Sequence, residues 1–139
     1  MEWMFLPYKR YADFTGRSRR MEYWMFALFY TLVLLVGFVA VIATSGPSYD
    51  AAGEGDAAAG MPIVLVILSL FVLGSIVPGL AVQVRRLHDQ NLSGWLVLLN
   101  LIPYLGALVM LVLMCIKGTN GENQYGPDPL SSSPADVFA

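Results

Sequence analysis

LAVQVRRLHDQNLSGW, residues 80–95, decides how the rest of the chain is read. It opens as the tail of one apolar run and sets Arg85, Arg86, His88 and Asp89 within five residues. It closes on Trp95, at the head of the next apolar run. Strongly polar groups confined to the junction of two hydrophobic segments mark where a chain leaves a bilayer and re-enters it.

Composition agrees. The 139 residues are 57% hydrophobic and only 13% charged, with mean hydropathy +0.63. A soluble domain approaches a quarter charged. The net charge of −2 says little, because acidic and basic residues are segregated along the chain. Cys115 is the single cysteine and lies inside an apolar run, so an intramolecular disulfide is excluded. With one histidine besides, a Cys/His zinc site lacks ligands, and no cofactor is expected.

Upstream of the junction, Met61–Val84 is a charge-free run of 24 residues. Pro78 and Gly79 near its end predict a kink, and Ser75 with Gly79 forms a small-xxx-small pair. Tyr23–Thr44 is a second charge-free run, 22 residues or roughly 33 Å of helix, with Tyr23 and Trp24 as interface anchors. Ser18 is its expected N-cap, and Glu22 falls in its first turn. Before it, Met4, Tyr8, Tyr11 and Phe14 have the spacing of a short amphipathic helix in the headgroup region, with Pro7 in its first turn or breaking it. Residues 45–60, rich in glycine and acidic side chains, read as a flexible loop.

Downstream, Trp95–Ile116 is the third charge-free run, 22 residues interrupted by Pro103 and Gly106. A kinked span is expected. The alternative is a re-entrant hairpin at Pro103, whose arms of about 8 and 12 residues fall short of the roughly 20 needed to cross. Asn100, an amide inside this run, is expected to hydrogen-bond to another helix. The remainder is a tail of turn formers. The expected fold is therefore an all-α integral membrane protein with three transmembrane helices, about 23–44, 61–84 and 95–116, after an N-terminal interfacial amphipathic helix. Residues 1–130 form one membrane domain, and 131–139 a disordered tail. Lysine and arginine counts place the N-terminus and the Arg85 loop in the cytoplasm, and three spans then place the C-terminus outside.

If the second helix continues past Val84, Arg85, His88 and Asp89 share one face. That set is either a proton-responsive or anion-binding site, or a topological anchor at anionic headgroups. Composition favours the anchor, as it does for Arg17, Arg19 and Arg20. Glu22 is different: a carboxylate at the membrane edge needs a partner, and Arg85 or Arg86 lies at its depth.

GRSRRMEYW at 16–24, AVQVRRLHDQNLSGW at 81–95 and GTNGENQYGPDP at 118–129 together resemble the bacterial inner-membrane family known as domain of unknown function 805. The resemblance runs from about Trp3 to Pro129. It implies a small multi-span protein of the cytoplasmic membrane with no activity to transfer. It also implies a role beyond topology for the cluster Arg17, Arg19, Arg20, Glu22, Arg85, Arg86, His88 and Asp89. The same holds for the tail motif of Gly118, Thr119, Gly121, Asn123, Tyr125, Gly126, Pro127, Asp128 and Pro129.

Three functions compete. A non-enzymatic subunit, scaffold or regulator would bind another membrane protein or anionic lipid headgroups, or form a homo-oligomer. An oligomeric transporter or channel component would use Arg85, His88 and Asp89, but its spans lack the ionisable residues that transport routes place at depth. An enzyme would need a nucleophile–base pair, a metal set or a phosphate loop, and the sequence offers none. The first is expected, with no nucleic-acid partner.

Overall fold

The computed structural model describes residues 2–45, 48–49, 55–56 and 60–130. Its helices are α1 (Glu2–Lys9), α2 (Arg20–Thr44), α3 (Gly60–Asp89) and α4 (Leu105–Cys115). A 3-10 helix, Gly94–Leu101, lies between α3 and α4. The acidic loop falls mostly outside the described residues, as does 131–139. Within that loop Ser48–Tyr49 (β1) and Gly55–Asp56 (β2) pair antiparallel, Ser48 opposite Asp56. The chain divides into two compact units, Met1–Phe26 with Val77–Ala139, and Ala27–Ile76.

The second unit is apolar and inside-out by the standard of a water-soluble protein. Val36, Phe38 and Leu70 are each more than 60% exposed. Such surface needs an apolar surround, as lipid or another helix face provides. Among its own contacts, Tyr30 stacks on Phe71 at 5.6 Å. α2 and α3 are long and apolar enough to cross a membrane, and α3 runs on through Pro78 to Asp89.

The first unit shares this pattern and adds buried charge to it. Arg85 and Arg86 are 0% exposed, while Trp95, Leu101 and Tyr104 are each at least 78% exposed. α3 stops where Asn91 takes the left-handed conformation (φ 59°). There Leu92 N–H donates to Leu87 O and Asn91 N–H to His88 O, the paired bonds of a Schellman cap. Leu92 then packs on the core of Leu87, Met110 and Met114.

The third apolar run is not one helix, and this corrects the expectation of a single kinked span. Ser93 starts the 3-10 helix by accepting from Trp95 N–H, and that helix ends before Pro103. Leu105 N–H then donates to Pro103 O at 2.6 Å across Tyr104 (φ 60°, ψ −57°), a γ-turn of the strained hand. α4 returns beside the first arm, so that a Cβ on Gly106 would lie 1.7 Å from Leu99 O. The arms match: eight 3-10 residues and eleven α residues each rise roughly 16 Å, about half a hydrocarbon core. Asn100 donates to Gln83 Oε1 at 2.7 Å, the cross-helix amide bond expected of it. Gln83 lies six residues before Asp89, so the hairpin runs back along α3.

The end of α4 therefore returns to the end of α3. Arg86 donates to Ile116 O, and Gln90 Nε2 donates to Leu113 O at 2.6 Å. The tail lies beside the N-terminal flank, where Arg17 donates to Thr119 O and Gly121 O. α1 also departs from expectation: it ends at Lys9 with Pro7 buried inside it, so Tyr11 and Phe14 fall beyond the helix. Tyr8 packs on Phe26 at 5.5 Å.

Two glycines separate tight packing from mere helix weakness. Gly106→Ala puts a methyl into main chain that cannot yield and should cost at least ~2 kcal/mol, or abolish folding, in detergent unfolding assays. Gly74→Ala, where no atom lies within 4 Å, should be neutral or stabilising by up to ~1 kcal/mol.

Candidate functional site

The buried charged side chains among the described residues are Arg17, Glu22, Arg85, Arg86 and Asp89. All belong to the first unit. They form two adjoining knots.

In the first knot, Arg85 Nη2 donates to Glu22 Oε1 at 2.8 Å, the pairing expected from their common depth. Arg85 Nη1 donates to Asp13 O at 2.5 Å and to Arg10 O at 3.4 Å. Ser18, expected to cap α2, instead donates its hydroxyl to Glu22 Oε2 at 2.6 Å, and its N–H donates to Arg85 O. Its side chain is thus spent on satisfying the second carboxylate oxygen. Asp13 is held by its own neighbours. The Thr15 hydroxyl first, then the Arg10 guanidinium, hold its carboxyl well below the usual carboxylate range.

In the second knot, Asp89 joins three segments. Oδ1 accepts from Arg17 Nε at 3.0 Å and Oδ2 from Arg86 Nη1. The Asp89 carbonyl accepts from Thr119 N–H at 2.8 Å and from the Thr119 hydroxyl at 3.1 Å. Arg17 reaches further into the tail, donating to Thr119 O and Gly121 O at 2.6 Å each and to Gly126 O at 3.4 Å. Gly118 presses on the carboxylate so closely that a Cβ would lie 2.0 Å from Asp89 Oδ2.

The Arg85, His88 and Asp89 face does not act as one site. α3 continues as that reading requires, but the three side chains diverge. Arg85 goes to Glu22, and Asp89 to Arg86 and Arg17. His88 places Nδ1 3.3 Å from Gly16 O and stacks flat on Tyr125, rings 3.8 Å apart and 5° from parallel. Because a carbonyl only accepts, Nδ1 carries the proton in that contact.

The rest of the tail motif is ordered around the second knot. Asn123 donates to His88 O at 3.0 Å and to the Thr119 hydroxyl at 2.9 Å, and accepts from Tyr125 N–H at 2.9 Å. Asn123 and Gly126 exchange main-chain bonds, and Pro127 follows them. Asp128 accepts from Leu130 N–H at 2.8 Å and Gly121 N–H at 3.0 Å, which hold its carboxyl below the ordinary value. Arg19 donates to Pro129 O, whereas Arg20 is exposed and joins neither knot. Sequence reasoning missed Arg17–Asp89, the Asp13 and Ile116 carbonyls, and Gln90. The i,i+4 spacing of Ser18 and Glu22 was a readable signal. For the bonds to main-chain carbonyls there was none.

Among the described residues no group of three or more His, Cys, Asp or Glu side chains could hold a metal ion. Buried guanidiniums, outward apolar side chains and two span-length helices define the class, a helical integral membrane protein. A family model described as "Protein of unknown function (DUF805)" matches residues 11–127, and the chain belongs to that family. It is 40% identical over 129 residues to inner membrane protein YhaH of Escherichia coli (strain K12), covering 93% of this chain and 97% of that one. It is 37% identical over 131 residues to inner membrane protein YhaI of the same strain, covering 93% and 96%. No solved structure matches. The chain is accordingly an inner-membrane protein of a family of unknown function.

The geometry distinguishes the two arginines. Arg85→Met should cost about 3–5 kcal/mol in detergent unfolding, since it strands Glu22, and more than Glu22→Gln. A double-mutant cycle on Glu22 and Arg85 should couple by at least ~1 kcal/mol. The same cycle on Glu22 and Arg86 should be additive to within ~0.5 kcal/mol. Coupling of Glu22 to Arg86 instead would overturn the assignment. Separately, Arg17→Gln should speed limited proteolysis of the tail while leaving the two spans protected.

Proposed function

We propose that this chain is a non-enzymatic scaffold or regulatory subunit of the cytoplasmic membrane. It presents one fixed cytoplasmic platform, built from the N-terminal flank, the end of α3 and the tail, to another membrane protein. The observation that carries this is how the buried charges are spent. The five pair with one another, and the guanidiniums also with main-chain carbonyls, which leaves neither a converging catalytic set nor an ionisable lining at depth among the described residues. The same pairing weighs against a relay built on Arg85, His88 and Asp89.

In this reading α2 and α3 are the only full spans, and Gly94–Cys115 is a half-membrane hairpin. α1 lies in the headgroup region. Both the N-terminal flank and the tail are cytoplasmic. The positive-inside rule supports that arrangement, because residues 27–76 contain no lysine or arginine and all eight lie in the first unit.

A reporter fluorescent only in the cytoplasm, fused after Leu130, should be active, and one active only outside should be silent. The reverse result would restore three spans. A photo-crosslinker at the exposed Gln124, followed by purification from native membranes, should trap the same membrane-protein partner reproducibly. Trapping only a second copy of this chain would favour a pore.

A further inference from the structure

A cavity of about 260 Å³ opens between the start of α2 and the tail, all within the first unit. Its wall carries the cations Arg19, Arg20 and Lys117 and the carboxylates Asp89 and Asp128. The carboxylates are already satisfied, Asp89 by Arg17 and Arg86, Asp128 by the N–H groups of Gly121 and Leu130. The Pro129 carbonyl fixes Arg19 on the wall. Arg20 and Lys117 are exposed and belong to neither ionic knot. The fold therefore brings two exposed cations from distant segments onto one concave surface. Met21 and Leu130, 58% and 69% exposed, supply an apolar lip beside them.

We infer that this cavity binds a phosphate group. Wall charge exceeds neutrality on the positive side, which selects an anion. A guanidinium with an ammonium offers the several N–H donors that a phosphate's unprotonated oxygens can accept. The volume exceeds what a single water needs and falls just short of the range of drug-sized pockets, so it suits an oxyanion with its waters or a small headgroup. Lipid headgroup and soluble phosphate share this chemistry. The inference rests on the cytoplasmic-platform reading, which sets the cavity at the level of the inner leaflet's headgroups.

The test uses full-length protein in dodecyl maltoside, a detergent without phosphate. Phosphorus NMR follows titration with inorganic phosphate and, separately, with dihexanoyl phosphatidylglycerol. Saturable binding should weaken about tenfold or more in Arg20→Gln with Lys117→Gln, and should not change in Lys9→Gln, whose charge is exposed outside the cavity. Binding of both ligands, of the lipid alone, or of the ion alone supports the site and identifies the source. Absent binding, or binding indifferent to the glutamine pair, overturns it. Because that pair can loosen the tail, Arg20→Lys with Lys117→Arg is measured beside it. Retained binding supports the site, and loss equal to the glutamine pair's overturns it. An active cytoplasmic reporter with no phosphate binding sinks this site alone, whereas a silent one sinks the platform reading itself.

Discussion

Asp89 is the point at which the first unit is tied. Its carboxylate accepts from Arg17 and Arg86, and its carbonyl accepts twice from Thr119. Through those bonds the N-terminal flank, the end of α3 and the tail share one residue. Taking ions out of water costs several kcal/mol each, and mutual attraction repays that only when the remaining donors and lone pairs are satisfied. Misplacing any of the three segments leaves a buried charge without its partner.

The two long spans and the Glu22–Arg85 pair were legible because both follow from one constraint, the cost of polar groups in hydrocarbon. An unbroken helix of twenty or more charge-free residues is long enough to cross, and a carboxylate at the edge must find a cation at its own depth. The third run obeyed a constraint that hydropathy does not register. An apolar stretch scores the same whether its helix is continuous or broken, and Pro103 marks a break without saying how far the chain turns. Arms of 8 and 12 residues counted against a hairpin only on the condition that each arm must cross. A re-entrant arm needs half that depth. Its matched rise, and the contact at Gly106 that lets the arms lie together, are properties of the fold.

The α1 region failed for a related reason. The spacing of Met4, Tyr8, Tyr11 and Phe14 has helical period, but period cannot say where a helix stops. Here Pro7 withholds an N–H near the end of an eight-residue helix, and Asp13 draws Arg10 and Thr15 into a local turn past it. Likewise Ser18 has the chemistry of an N-cap. A buried carboxylate with an open lone pair makes a stronger claim on its hydroxyl than an N–H at the helix start.

The glycine-rich tail reads as a run of turn formers, and its described residues contribute nothing to the hydrophobic core. Its role follows from charge arithmetic instead. Three buried guanidiniums face two buried carboxylates, Asp89 serving two of them, so the buried set carries one net positive charge. Bare main chain can take up that surplus by turning carbonyls toward the cations. Thr119, Gly121 and Gly126 serve Arg17, Ile116 serves Arg86, and Pro129 serves Arg19. Side chains would hold the strand away, as at Gly118, where even one carbon would collide with Asp89. A segment that solvates cations with its own backbone must be small, turn-rich and poor in apolar residues. Those are the features that made GTNGENQYGPDP read only as a run of turn formers.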